Sequence, residues 1–218
     1  MQPDHFIPFL EESALIVDVG ERILNKVCVF LADVQKHNSL PRGFRIAINI
    51  SAKQLAKANF IDTVSQVLAK HKIAPSFLEI EITESVALNN MSDTVGKIFT
   101  MKKMGITFSL DDFGTGYSSL SHLRDLPVDK VKIDRSFIND VNIDKQDENL
   151  VRSIIQLSKN LGLLTVAEGV ETQEQVEWLK LNGDVLLQGF YYSRPINPDE
   201  FRCKYLQPFD DTLVEPKA

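Results

Sequence analysis

A chain of 218 residues with a formal net charge of −6 is long enough for one large domain or two small ones, and lacks the basic excess of a general binder of DNA or RNA polymers. Its 44% hydrophobic and 25% charged content is that of an ordinary globular protein. With no apolar run near the ~18 residues of a membrane span and no visible signal peptide, direct membrane insertion is not expected, and the location reads as cytoplasmic or as the cytosolic part of something larger.

In chain order, the first pattern is helical: residues 16–34 carry Val19, Ile23, Val27, Phe30 and Leu31 at one-face spacing. A β-branched run follows at 44–49 and ends in Asn49. A helix is predicted over 60–71, a strand over 77–81 ending in Glu81, and a helix over 92–104. The next strand, 106–112, ends in Asp111 and Asp112. The run 128–134 contains Lys132 and is followed by a helical pattern over 148–161. A strand over 163–168 ends in Glu168, a helix spans 172–181, and the last strand, 185–188, ends in Gln188. One domain over 1–206 and a loose tail over 207–218 are expected. Cys28 and Cys203 form no metal spacing and read as reduced thiols.

Strands alternating with helices predict βαβ crossovers and a parallel sheet. Two architectures accommodate the pattern: an open doubly wound sheet, or most of a (β/α)8 barrel. An open sheet gathers ligands at one switch point, whereas every strand here ends in a polar group. The barrel is therefore favoured, with its first two strands lacking in this chain.

A charged group is costly to bury unless it is paired or binds a metal, so a ring of polar strand ends implies a site. The adjacent carboxylates of Asp111 and Asp112 suit a bridge between hard cations, and the Gly114-Thr115-Gly116 that follows permits a sharp turn. A helix-capping role for Asp112 competes with that reading. Glu79 and Glu81 share one strand face; Glu81, nearer the end, is the better ligand, while Glu84 lies beyond the strand and can brace a loop. Lys132, between apolar neighbours, holds a water and offsets negative charge, or makes a structural ion pair. Glu168 stands at a strand end, whereas Glu171 sits at a helix start, where the helix dipole favours a carboxylate without any function. The four histidines show no ligand spacing. An oxygen-rich donor set favours two Mg2+ or Mn2+ ions over Zn2+, for activating water and clamping a phosphodiester.

Several motifs in order resemble the EAL domain family. They are Asn49-Ile50-Ser51-Ala52-Lys53-Gln54-Leu55, Glu81-Ile82-Thr83-Glu84-Ser85, the run Asp111 to Leu120, Lys132-Ile133-Asp134-Arg135-Ser136-Phe137, Ala167-Glu168-Gly169-Val170-Glu171-Thr172, and Gln188-Gly189-Phe190-Tyr191-Tyr192-Ser193-Arg194-Pro195. The resemblance implies a modified, TIM-like (β/α)8 barrel with one antiparallel strand, and hydrolysis of cyclic di-GMP to linear pGpG. It implies Asn49, Glu81, Asp111 and Asp112 as metal ligands, with Asp111 bridging the ions. Lys132 then positions the attacking water, Glu168 helps hold the second metal or its water, and Lys132, Asp112 and Glu168 make up the catalytic group. Gln188, Glu84 and Arg194 are implied to support the site or bind substrate, with Glu84 anchoring the loop 113–120.

The resemblance further suggests a homodimer and an upstream sensor or GGDEF-type domain. The Glu-Ala-Leu motif that names the family would lie about ten residues before Met1 by the family's spacing, and its Glu is a metal ligand there. The chain alone is therefore expected to be weakly active or inactive. A cyclic di-GMP receptor without turnover and a protein-interaction domain are the alternatives.

Overall fold

The computed structural model describes residues 3–37, 40–115 and 120–206. Six strands form one sheet in sequential order, every pair parallel. They are β1 (Ile46–Asn49), β2 (Leu78–Thr83), β3 (Thr107–Phe113), β4 (Lys130–Ile133), β5 (Leu164–Ala167) and β6 (Val185–Leu187). Sequential order decides between the two architectures. A doubly wound sheet reverses its order at a switch point; here each strand is followed by its spatial neighbour. Right-handed crossovers then leave all connecting helices on one face, and the chain has the α/β, TIM-like winding of a barrel wall. No antiparallel strand occurs among the described residues, and β1 and β6 have no pairing partner on their outer sides there.

Two helices precede the sheet, α1 (Pro3–Glu12) and α2 (Ile16–His37). Between β1 and β2 lie α3 (Ala52–Leu55) and α4 (Phe60–His71); between β2 and β3, α5 (Glu84–Asn89) and α6 (Met91–Met104). A short α7 (Leu120–Asp125) leads to β4, then α8 (Arg135–Asn139) and α9 (Lys145–Asn160) lead to β5. The chain continues through α10 (Gln173–Asn182) to β6 and ends its described part with α11 (Pro198–Tyr205). The five helices expected from periodicity are α2, α4, α6, α9 and α10, each within a few residues of the predicted bounds. The tail over 207–218 lies outside the described residues.

The strand sequences explain which face is which. In β2, Leu78, Ile80 and Ile82 alternate with Glu79 and Glu81; in β3, Phe108 and Leu110 alternate with Thr107, Ser109 and Asp111. In β4, Val131 and Ile133 alternate with Lys130 and Lys132. The apolar set is buried in the core beneath the helices. The polar set is turned the other way, into what is the inside of the barrel wall. There Glu79, Glu81, Lys130 and Lys132 line a cleft of about 830 Å³, together with Ala47 of β1, Val166 of β5 and Gln188 just after β6. Helix α11 returns to the start of the sheet. Phe201 packs against Phe30 of α2 and Phe44 before β1, with ring centroids 6.3 Å apart in each case, and Arg202 Nη1 meets Asp33 Oδ2 at 2.7 Å.

Candidate active site

Parallel strands bring their carboxyl ends to one rim, and the chemically capable side chains gather there. The centre is Lys132, whose side chain is only 4% exposed. Its Nζ lies 2.9 Å from Glu81 Oε2, 3.0 Å from Asp111 Oδ1 and 2.5 Å from Glu168 Oε1. Those acceptors come from β2, β3 and the residue just after β5, so one ammonium ties neighbouring strand ends together. Burial alone would push the Lys132 pKa down. The attraction of Glu81, Asp111 and Glu168 outweighs it and holds the ammonium above the ordinary lysine range.

Adjacent strand residues ordinarily face opposite ways, yet Asp111 and Asp112 both serve the cluster. The register of β3 against β4 shifts between Leu110 and Phe113, a bulge-type irregularity, and Asp112 adopts a left-handed backbone with φ of 54°. Aspartate tolerates that region better than most side chains. Asp111, Asp112 and Glu168 each offer an oxygen within 4.8 Å of the others, a group able to hold a cation. The backbone N–H of Asp112 donates to Asp111 Oδ1 at 3.1 Å. The capping alternative for Asp112 is not what the structure shows, since it lies within β3.

The carboxylates carry the cost of their surroundings. Burial raises the pKa of Glu81, of Asp112 and of Glu168. The charge of Asp111 adds to the rise in all three, and that of Asp134 adds to it at Asp112. Four carboxylates facing one ammonium leave an excess of negative charge, which suits divalent cations, and the donors are all hard oxygens.

The EAL domain profile matches residues 1–195. The chain belongs to the EAL domain family. It is 40% identical over 201 residues to the bifunctional diguanylate cyclase/cyclic di-GMP phosphodiesterase MucR of Pseudomonas aeruginosa, a match covering 91% of this chain and 29% of that protein. It is 38% identical over 199 residues to the signaling protein YkoW of Bacillus subtilis, covering 91% and 24%. The solved PaMucR phosphodiesterase in complex with c-di-GMP superposes with a TM-score of 0.87 at 39% identity, over 92% of this chain and 81% of that one. The EAL domain of Mycobacterium smegmatis DcpA gives 0.80 at 34% identity, over 86% and 84%. The chain thus spans about a quarter of the length of the curated relatives it matches.

Within this EAL fold the residues singled out by sequence divide into four groups. Lys132, Glu81, Asp111, Asp112 and Glu168 meet at one place, although Glu81 is joined to the others through Lys132 and stands outside the Asp111–Asp112–Glu168 group. Asn49 is exposed at the end of β1, in register with Glu81. Gln188 and Arg194 line the cleft beyond β6, with the Arg194 guanidinium 4.7 Å from the centroid of Phe190. Glu84 lies apart: it opens α5, is 8% exposed, and no donor among the described residues reaches its Oε2. Residues 116–119 of the loop it was expected to anchor are outside the described part.

Sequence reasoning passed over three participants. Asp134 caps α8 through Ser136 N–H and bears electrostatically on Asp112; its place directly after the Lys132 strand was the available signal. Lys130 and Ser109 sit on the inward face with Glu79, and the alternation of β3 and β4 already placed them there.

Proposed function

We propose that this chain is the catalytic EAL domain of a metal-dependent phosphodiesterase that opens cyclic di-GMP to linear pGpG. The observation that carries the reading is the meeting of Asp111, Asp112 and Glu168 around the buried ammonium of Lys132, which itself lines the cleft. In this reading Asp111, Asp112, Glu81, Asn49 and Glu168 hold two Mg2+ or Mn2+ ions. Bound there, such ions supply Lewis acidity that makes water nucleophilic at neutral pH and offsets charge on the phosphodiester.

The protein's own groups do the rest. Lys132, an obligate donor with three N–H bonds, orders the attacking water and offsets charge developing on phosphorus oxygens. Glu168, already hydrogen-bonded to Lys132, fixes the direction in which that ammonium points. Gln188, beside it across the β5–β6 pair, supports Glu168. Arg194, stacked on Phe190, offers a guanidinium to phosphate from the far side of the cleft. Glu84 holds the loop that follows Asp112. The reading extends to a homodimer, to an attached sensor or GGDEF-type domain, and to the cytoplasm, where such a messenger is met.

The test is hydrolysis of cyclic di-GMP by the purified chain with Mg2+ or Mn2+, followed by separation of pGpG, with calorimetric titration of the dinucleotide in Ca2+ alongside. Turnover that Lys132→Met removes supports the reading. Binding in Ca2+ with no turnover in any metal, even after a Glu-Ala-Leu segment is joined to the N-terminus, would replace it with a receptor. Neither binding nor turnover would leave an interaction domain.

A further inference from the structure

One step below the acidic cluster, the same three strands repeat its pattern with different charge arithmetic. Two residues before Glu81, Asp111 and Lys132 stand Glu79, Ser109 and Lys130, facing the same way because strand side chains alternate. Lys130 reaches across β3 to Glu79 Oε2 at 2.5 Å, just as Lys132 reaches across it to Glu81 Oε2 at 2.9 Å. From the strand between, Ser109 Oγ donates to Glu79 Oε1 at 2.8 Å. The Lys130 and Glu79 side chains are 14% and 7% exposed, and both line the cleft. This lower layer is balanced, one carboxylate to one ammonium, whereas the upper layer sets four carboxylates against one. The hydrolytic chemistry uses neither Glu79 nor Lys130.

A buried carboxylate is costly without a partner. Glu79 is paired with Lys130, and the next ammonium on the same face is that of Lys132, rooted about 7 Å further along the same strand and already bridging to β2. We propose that Lys130 is a positioning residue, which by satisfying Glu79 leaves Lys132 wholly to Glu81, Asp111 and Glu168. The inference rests on the hydrolytic reading above and assigns the lower pair a role in it. With Lys130 gone, Glu79 keeps no ion pair among the described residues, and Lys132 tips down toward it. The upper cluster then loses its internal positive charge. Divalent cations bind there more tightly, while hydrolysis slows because the ammonium that orders water has moved. Damage to packing alone would weaken both.

The experiment titrates Mn2+ calorimetrically into the whole chain and follows cyclic di-GMP hydrolysis, for wild type, Lys130→Met and the double variant Glu79→Gln/Lys130→Met. Lys130→Met is expected to bind Mn2+ about tenfold more tightly and to lose about tenfold or more in kcat with KM little changed. The double variant, which removes the charge together with its partner, returns both to within about threefold of wild type, as coupled neighbours should. Unchanged affinity and rate in Lys130→Met overturn the inference. So does weakening of both, or a double variant no better than the single.

If circular dichroism shows Lys130→Met unfolded, Glu79→Gln decides. It frees Lys130 to compete for Glu81 and is expected to weaken Mn2+ binding; wild-type affinity there overturns the inference. A wild type that binds Mn2+ without turning over leaves the affinity arm to decide. A wild type that does neither removes the hydrolytic reading and this inference with it, whereas a competent wild type with an indifferent Lys130→Met refutes the pairing alone.

Discussion

At Asp112 two demands meet: the carboxylate must reach the cluster, and the backbone must enter the left-handed region to aim it. Asparagine meets the second demand as well as aspartate does, so Asp112→Asn should fold with an unchanged or higher Tm. It should bind Mn2+ at least ~10-fold more weakly, the range already seen for changes outside the ligands themselves. Thermal melts and calorimetry on the same preparation check both halves. The raised pKa values give a second expectation. Burial makes Glu81, Asp112 and Glu168 hold protons more tightly folded than unfolded. Stability is therefore lost as pH rises through their titration, and the full cost of the buried charge stands above it. At neutral pH in chelator, Glu168→Gln should raise Tm by ~2 °C or more, and Mn2+ should raise the wild-type Tm. Below the ordinary glutamate value of 4.5 both gains should vanish, because the wild-type carboxyl is then protonated too. Melting curves across pH would refute this if the Glu168→Gln gain grew toward acid. The identity of these residues was legible in the sequence because each carboxylate or lysine closes or punctuates a β-branched run. Their pairing was not: Lys132 meets Glu81 across an intervening strand, and only the register of three strands fixes that diagonal.

Among elements, the long helices could be read from period, since α2, α4, α6, α9 and α10 each run for at least 10 residues, and the six strands from β-branched or aromatic runs that each close on a polar group. The short ones could not. Helices α3, α5, α7, α8 and α11 have 4 to 8 residues, too few for a 3.6-residue period to declare itself, and α3, α5, α8 and α11 start on side-chain caps from Ser51, Thr83, Asp134 and Asn197. Ser51 and Gln54 form a capping box at α3, as Thr172 and Gln175 do at α10. Helix α1 carries Pro8, which argues against a helix when the sequence is read alone. The loop after β6 depends on the close approach that a glycine directly after Gln188 permits: a Cβ on Gly189 would come within 2.1 Å of Val170 O and 2.3 Å of Val170 N. Both contacts are backbone, so neither can swing aside. Gly189→Ala should cost ~1–3 kcal/mol and push Gln188 and Arg194 out of line. Its predicted signature is weaker cyclic di-GMP binding with Mn2+ affinity nearly kept, because Asp111, Asp112 and Glu168 stand on other strands. Calorimetry with the two ligands separately would show whether the loop and the acidic cluster are independent in this way.

For the whole molecule, sequential winding of a parallel sheet turns every inward side chain toward one space, and the chain must still hold its two sheet ends in place. Among the described residues no strand hydrogen-bonds to the outer edge of β1 or of β6. What joins the ends is α11: Phe201 sits among Phe30, Phe44 and Tyr205, and Arg202 reaches Asp33 on α2. The arrangement links the last described helix to the first strand, and Phe201 also lines the cleft beside Arg194 and Tyr192. One side chain therefore serves both closure and cleft shape. Phe201→Ala removes part of a half-buried aromatic cluster, for which ~1–2 kcal/mol is a reasonable cost. In a chain of this size that is a fall of ~2–8 °C in Tm. Because the ring of Phe201 packs among Phe30, Phe44 and Tyr205, and Asp111, Asp112 and Glu168 do not line the cleft it shares, Mn2+ affinity should hold within about threefold, while cyclic di-GMP binding weakens as the wall beside Arg194 loosens. Arg202→Ala, which removes a half-exposed ion pair, should move Tm far less, by ~2 °C or under. Equal losses from the two variants would mean that charge rather than ring packing holds α11 to the sheet. A collapse of Mn2+ binding in Phe201→Ala would mean that the site's geometry depends on closure at the far side of the barrel wall.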